Sequence, residues 1–294
     1  MSQIKTWVTG ARVRTLPLAI APVLLGSATA STVDRFDLVL TILALVVALA
    51  LQIGVNYAND YSDGIRGTDD NRVGPKRITA SKSARPVAVR NAAFIFFGIA
   101  AVTGLAIVII SGQYFLVFIG LLAILAAWYY TGGKSPYGYA GLGEIVVFVF
   151  FGLVATIGTN FVQTGFIDPL AVMLGVASGL YATAVLLVNN IRDIETDEKS
   201  GKVTLAVRLG EKVSKRIFVA MIWFPVLVNL LLISFYPATV FALFNQALVI
   251  PATFILLTAK TPKELITVLK LTSFAGFGYG LLIAFGIFFV SLSF

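Results

Sequence analysis

The chain has 294 residues, 58% of them hydrophobic and 12% charged, with a mean hydropathy of +0.93 and a formal net charge of +8. A soluble domain carries about a quarter charged residues, so this composition excludes an ordinary soluble globule and points to an all-α, polytopic membrane protein. Cysteine and histidine are both absent, which excludes disulfides, thiol nucleophiles, imidazole acid–base chemistry and zinc or haem sites built on those side chains.

Apolar runs long enough to cross a hydrocarbon core of about 30 Å recur along the chain. The opening stretch, MSQIKTWVTGARVRTLPLAIAPVLLG, sets basic residues before an apolar run without a small-residue cleavage site. It reads as a first span over about 14–32, not as a removed signal. Eight more spans follow, over about 37–58, 88–110, 112–130, 141–163, 168–190, 214–234, 236–258 and 270–292. The basic residues test this count of nine. The N-terminal arm carries three, the 59–90 connection seven, the 131–140 connection one, the 191–216 connection seven and the 259–270 connection three. Only Arg35 falls on the other side, so 21 of the 22 share one face. The positive-inside rule makes that face cytoplasmic, with the N-terminus cytoplasmic and the C-terminus external. These cations set topology and attract anionic lipid heads of the bilayer. No basic face beyond these loops suits nucleic acid, and nothing identifies a protein partner.

The second span runs into NYANDYSDGIRGTDD, where Asp60, Asp63, Asp69 and Asp70 arrive within eleven positions. Such crowded carboxylates need a compensating partner. A second copy ends the sixth span: Asn189-x-x-x-Asp193-x-x-x-Asp197 aligns with Asn56-x-x-x-Asp60-x-x-x-Gly64, 133 residues earlier. Eight of the 14 acidic residues lie in these two segments. Four spans separate them, so both helices end on the same face. This suggests a single domain over 1–294 built of parallel pseudo-repeats, about 14–130 and 141–258, facing each other across a cavity, with a final helix over about 270–292. Spacing of four places Asn56 with Asp60, and Asn189 with Asp193 and Asp197, on one helical face each. Asp63 stays near that face, whereas Glu195 points to water. Facing carboxylates without His or Cys favour a hard cation. Mg²⁺, commonly held by one or two carboxylates and completed by phosphates and water, suits them with a diphosphate flanked by Lys and Arg.

These stretches resemble the two aspartate-rich motifs of the UbiA-type intramembrane aromatic prenyltransferases. With RVRTLPLAIAPVLLG (12–26), WYYTGGKSPYGYAGLGEIVVFVFFG (128–152) and NNIRDIETDEKSGKVTLAVRLG (189–210), they are similar to the branch that prenylates 1,4-dihydroxy-2-naphthoate for menaquinone. The resemblance spans nearly the whole chain. It implies a nine-helix bundle in the bacterial cytoplasmic membrane. It also implies two Mg²⁺ ions (Mn²⁺ an alternative), a polyprenyl diphosphate donor and an aromatic acid acceptor. Alternative readings are another acceptor, 4-hydroxybenzoate or homogentisate, and a secondary transporter.

By motif matching, Asn56, Asp60, Asp193 and Asp197 take the family's metal and diphosphate roles. Relatives continue the first motif with an acid where this chain has Gly64, so Asp63 and Asp69 are expected to stand in. The metal set is therefore Asp60, Asp63, Asp69, Asp193 and Asp197. Tyr130 and Lys134 match a catalytic Tyr/Lys pair, with Lys134 assigned to the diphosphate against a purely topological role. Asn59, Asn189 and Arg192 are further substrate-binding groups, and Arg72, Lys76 and Arg77 are loop cations that either cap the site or are solvated. Glu144 either supports the metals or packs between helices. Asp168, before Pro169, is a helix N-cap.

Overall fold

The computed structural model describes residues 3–68 and 77–291. Among them all regular structure is helical. Helix α1 (Gln3–Ala11) meets α2 (Pro17–Ser31) at a 47° bend. Arg12 turns left-handed there, with φ 51°, and Pro17 pre-sets the first turn of α2. Helix α3 (Leu38–Arg66) starts on Asp37, whose carboxylate accepts the Leu40 N–H at 2.9 Å. It stops at Gly67, φ 75°, a left-handed position that favours glycine. Then come α4 (Pro86–Ser111), α5 (Leu116–Tyr129) and α6 (Gly143–Thr164), which is π-helical over Phe148–Val154. Asp168 caps α7 (Pro169–Arg192) through the Leu170 N–H at 2.8 Å. Two short helices, α8 (Ile194–Lys199) and α9 (Leu205–Leu209), lead to α10 (Glu211–Leu232), α11 (Pro237–Thr258) and α12 (Pro262–Ser291).

Each of the nine predicted spans falls on a helix, but the helices differ in reach. Seven are long and apolar enough to cross a membrane, or eight if the bent α1–α2 pair is one span. Helix α5 has 14 residues, about 21 Å at 1.5 Å per residue, short of a full crossing. At the other extreme, α3 runs eight residues past the predicted end at 58 and carries Asp60 and Asp63 within its last turns.

Buried apolar mass is uneven. The largest core joins α2, α7, α10, α11 and α12, around Leu25, Leu174, Tyr181, Phe218, Val249 and Ile283. Two smaller clusters, one of Tyr57, Ala58, Ile78, Val89, Ala93 and Phe97 and one of Val23, Leu40, Ala44 and Ile107, tie α3 to α4. The dense half anchors the bundle, and the looser half leaves room inside. Helices α6 and α7 cross closely, since a Cβ on Gly152 would stand 2.4 Å from the Gly179 Cα. Polar side chains join α2, α3 and α6: Asn160 donates to Thr29 at 2.9 Å, and the Ser27 and Thr41 hydroxyls lie 2.8 Å apart. Such contacts hold helices together where lipid and side chains are equally apolar.

Candidate functional site

A cavity of about 600 Å³ opens between the looser half and the dense one, whose helices α2 and α7 also line it. Ala48 and Leu51 of α3, Gly104 of α4, Ile119 and Ala123 of α5, and Phe150, Phe151 and Val154 of the π-helical stretch give it apolar walls. Its polar end is lined by Asn56, Asn59, Asp63, Thr68, Arg77, Tyr130, Thr131, Asn189, Asp197 and Lys202. The π-helical turn widens α6 just where Phe150 and Phe151 reach the cavity, a distortion often found at functional positions.

The first acidic cluster sits on unbroken helix. Asp60 is 1% exposed, and its carboxylate accepts the N–H of Ile78 at 3.0 Å and of Thr79 at 2.8 Å. These charge-assisted bonds, each worth about 1.5–3 kcal/mol, pin the turn at 77–80 onto α3. Gly64 makes room for that turn, since a Cβ there would lie 2.6 Å from the Thr79 side chain. Any larger side chain at position 64 would meet that turn. One turn earlier, the Asn56 amide donates to the Ala11 carbonyl at 2.9 Å and the Thr15 hydroxyl at 3.1 Å, holding the α1–α2 bend. Asn59 accepts from the Thr131 hydroxyl at 2.9 Å. Asp63 faces the cavity and accepts from the Tyr139 hydroxyl at 2.9 Å.

The second cluster does not keep one helical face, because α7 ends at Arg192 and α8 begins at Ile194. Asp193 sits at the break. Its carboxylate takes two bonds from Arg192, at 2.7 and 2.6 Å, and the same guanidinium donates to Asn189 Oδ1 at 2.8 Å. Asp197 lies one turn on, 3.4 Å from Lys202 Nζ, and lines the cavity. Glu195 is exposed, as its helical angle predicts.

The 131–142 loop closes the polar end. Arg66 donates from both terminal nitrogens to the carbonyls of Thr131 and Gly133. Burial, and next the charge of Asp63, push the Tyr139 phenol above its usual range, so it remains a donor at neutral pH.

The predicted residues therefore divide. Asn56, Asn59, Asp63, Tyr130, Asn189 and Asp197 share the cavity. Asp60, Asp193 and Arg192 lie outside its lining, buried behind it in the contacts just described. Lys134 is exposed and outside the lining, because its loop turns outward there; Lys202 and Arg77 bring positive charge to the cavity instead. Asp69, Arg72 and Lys76 lie outside the described residues. Glu144, 3% exposed, is held by the Asn190 amide at 2.8 Å and joins α6 to α7 outside the cavity lining. Sequence reasoning missed Arg66, Thr131, Tyr139 and Lys202. Lys202 lies within the quoted 189–210 stretch and Tyr139 in the quoted GGKSPYGYAGLGE loop, but their cross-loop partners are not sequence neighbours.

Among the described residues no three His, Cys, Asp or Glu side chains converge as a metal cage. Two cavity carboxylates beside amides and cations suit a hard cation that takes its other ligands from a phosphorylated substrate. They do not suit a closed structural metal site.

The chain is 48% identical over 222 residues to a 1,4-dihydroxy-2-naphthoate octaprenyltransferase of Mycobacterium leprae, covering 76% of this chain and 75% of that one. It is 42% identical over 293 residues to a protein of the same name from Mycobacterium tuberculosis, covering 100% of both. The fold matches a UbiA homolog from Archaeoglobus fulgidus described as bound to GPP and Mg²⁺. The TM-score is 0.65, at 15% identity, over 95% of this chain and 99% of that one. Residues 19–274 match the UbiA prenyltransferase family, and that span takes in both aspartate clusters and all of the cavity lining except Arg12, Thr15 and Leu18: the chain belongs to that family.

Proposed function

We propose that the chain transfers a polyprenyl group from a polyprenyl diphosphate to 1,4-dihydroxy-2-naphthoate, with loss of diphosphate and CO₂. The full-length identity to the Mycobacterium tuberculosis octaprenyltransferase carries this reading. The cavity supports it, because acids and cations at one end suit a diphosphate head and apolar walls suit the prenyl chain and a flat ring. In the reaction the C1–O bond to diphosphate breaks, and the electron-rich ring carbon bearing the carboxylate forms the new C–C bond. The carboxylate then leaves as CO₂, giving the prenylated hydroquinone, the reduced form of demethylmenaquinone.

Asp63 and Asp197 would hold the divalent cation, Mg²⁺ with Mn²⁺ as a substitute, and Asp69 joins them in a set for two ions. Bound there, the metal neutralises charge developing on the departing diphosphate. Lys202 and Arg77 bind the phosphates, Asn59 and Asn189 orient them, and Tyr130 closes the reacting end. Asp60 and Asp193 frame the site: one fixes the 77–80 turn, the other fixes Arg192 and Asn189. The apolar walls exclude water, so the electron-poor prenyl carbon meets the ring rather than hydroxide. On this reading the two clusters belong to parallel halves of one domain, and the 21-to-1 split of basic residues supports a cytoplasmic position for both. A reporter fused after Phe294 should report an external C-terminus.

The test is incubation of purified protein with a polyprenyl diphosphate, Mg²⁺ and a panel of aromatic acids, followed by mass spectrometry. Chain addition with loss of CO₂ from the naphthoate alone is the expected result. Preference for 4-hydroxybenzoate or homogentisate would overturn the acceptor but keep the donor. Absence of any prenylated product with diphosphate left intact would overturn the transferase reading.

A further inference from the structure

Tyr139 belongs to neither acidic cluster, yet it touches the environment of both. Its hydroxyl donates to Asp63 Oδ1 at 2.9 Å and lies 3.0 Å from the Thr68 hydroxyl. Its ring has the Arg66 guanidinium 5.4 Å from the centroid and Lys202 Nζ at 5.6 Å. Lys202 in turn stands 3.4 Å from Asp197 Oδ1. The backbone takes part as well: the Tyr139 carbonyl accepts the Val203 N–H at 3.0 Å, so the loop before α6 is stitched to the segment after α8. One residue thus connects the cavity acid at the end of α3 to the cavity acid of α8, across elements that no helix joins.

We propose that Tyr139 is a positioning residue that fixes the orientation of Asp63 and its separation from Asp197, so that one cation–diphosphate group is gripped from both walls. This rests on the metal-diphosphate reading of the site given above. The terminal torsion of an aspartate is soft, and among the described residues no backbone turn holds the Asp63 carboxylate as one holds that of Asp60. A phenol donating to Oδ1 sets that torsion and directs Oδ2 elsewhere. Outer partners of this kind orient a metal-binding carboxylate, and their loss commonly weakens metal affinity about 10–100-fold. The ring does a second job. It meets cations from α3 and from the segment after α8, and each such contact is attractive.

Two variants separate these roles. Tyr139→Phe keeps the ring and both cation contacts but removes the donor; Tyr139→Leu removes both. Binding of Mn²⁺ to the full-length protein, read by electron paramagnetic resonance with and without inorganic pyrophosphate, should weaken about tenfold in Tyr139→Phe and further in Tyr139→Leu. The Mg²⁺ concentration for half-maximal turnover should rise in step, with kcat largely recovered at saturating Mg²⁺. Separation can be measured directly because the chain has no cysteine. Spin labels on Ile65→Cys and Glu198→Cys, exposed positions beside the clusters, should give a broader distance distribution in Tyr139→Leu than in the parent. Unchanged Mn²⁺ affinity in Tyr139→Phe, or an unchanged distance distribution in Tyr139→Leu, would overturn the proposal. If the unmodified protein itself retained no Mn²⁺ with pyrophosphate, the metal-diphosphate reading would fall instead, so the two failures are distinguishable.

Discussion

The two acidic stretches share a spacing, Asn-x-x-x-Asp, but the chain folds them differently. Around Asp60 the helix continues to Arg66, and the carboxylate is satisfied by two backbone N–H groups of a turn packed over it. Around Asp193 the helix breaks, and the carboxylate is held by the neighbouring guanidinium. In both, the aspartate of the repeated motif lies behind the cavity and the next acid toward the C-terminus faces it: Asp63, three residues on, and Asp197, four residues on. The unequal steps follow from the unequal backbones. The two segments align in sequence but differ in local geometry, so aligned positions need not stand in the same place relative to the cavity.

The strongest way to break that comparison is to neutralise the cavity acids. Asp63→Asn and Asp197→Asn should each lower turnover by about a thousandfold, the upper range for removing one preorganised electrostatic contact. If both act on one diphosphate, the double variant should be little slower than either single one. Losses that multiply would mean that the two carboxylates act independently.

The framing acids should behave otherwise. Asp193→Asn leaves Arg192, whose side chain is 1% exposed, without its charged partner. That should cost about 3 kcal/mol of stability, the lower bound for breaking a buried ion pair. Asp60→Asn retains one acceptor oxygen and meets one N–H with a donor instead, so about 1–3 kcal/mol is expected. Thermal unfolding in detergent measures both, alongside turnover on the fraction that remains folded. Full stability with abolished turnover would return Asp60 and Asp193 to the metal set that their motif position implies.

Much of this fold was readable from hydropathy and charge. Nine apolar segments and two matched acidic clusters are properties of the chain's own order, and both correspond to helices and helix ends. The shortness of α5 and the 47° bend between α1 and α2 were not read, because hydropathy marks where an apolar run lies and not the backbone geometry at its ends. The site was legible to the level of the cluster but not of the side chain. Helical spacing gave Asp60 and Asp63 nearly equal claims to one face, and the turn at 77–80 decided between them from 18 residues away. Lys134 fitted a motif, whereas the cavity lysine came from a different loop, where Lys202 follows the break after α7.

A smaller effect tests that turn. Gly64→Ala would place its Cβ 2.6 Å from the Thr79 side chain and should cost about 1–3 kcal/mol through overpacking. Gly64→Asp, which supplies the acid that the family resemblance leads one to expect there, should be at least as destabilising and should not raise turnover. A faster Gly64→Asp variant would show that the position can accept a metal-facing acid after all.

The smallest expected effect separates two lysines. Lys202 lines the cavity, 3.4 Å from Asp197, whereas Lys134 is exposed and makes no part of the lining. An ammonium beside the phosphates binds donor in the ground state and in the transition state alike, so its removal raises KM with little change in kcat. Lys202→Met should therefore raise the donor KM about tenfold, the equivalent of about 1.4 kcal/mol, and leave the acceptor KM nearly unchanged. Lys134→Ala should leave both constants within a factor of about two, because an exposed charge outside the cavity is screened by solvent. Initial rates over a donor titration at saturating acceptor distinguish the two. A raised donor KM in Lys134→Ala, with Lys202→Met unaffected, would mean that the 131–142 loop closes over the donor and carries Lys134 inward. The assignment of the phosphate contact would then move from the break after α7 to that loop.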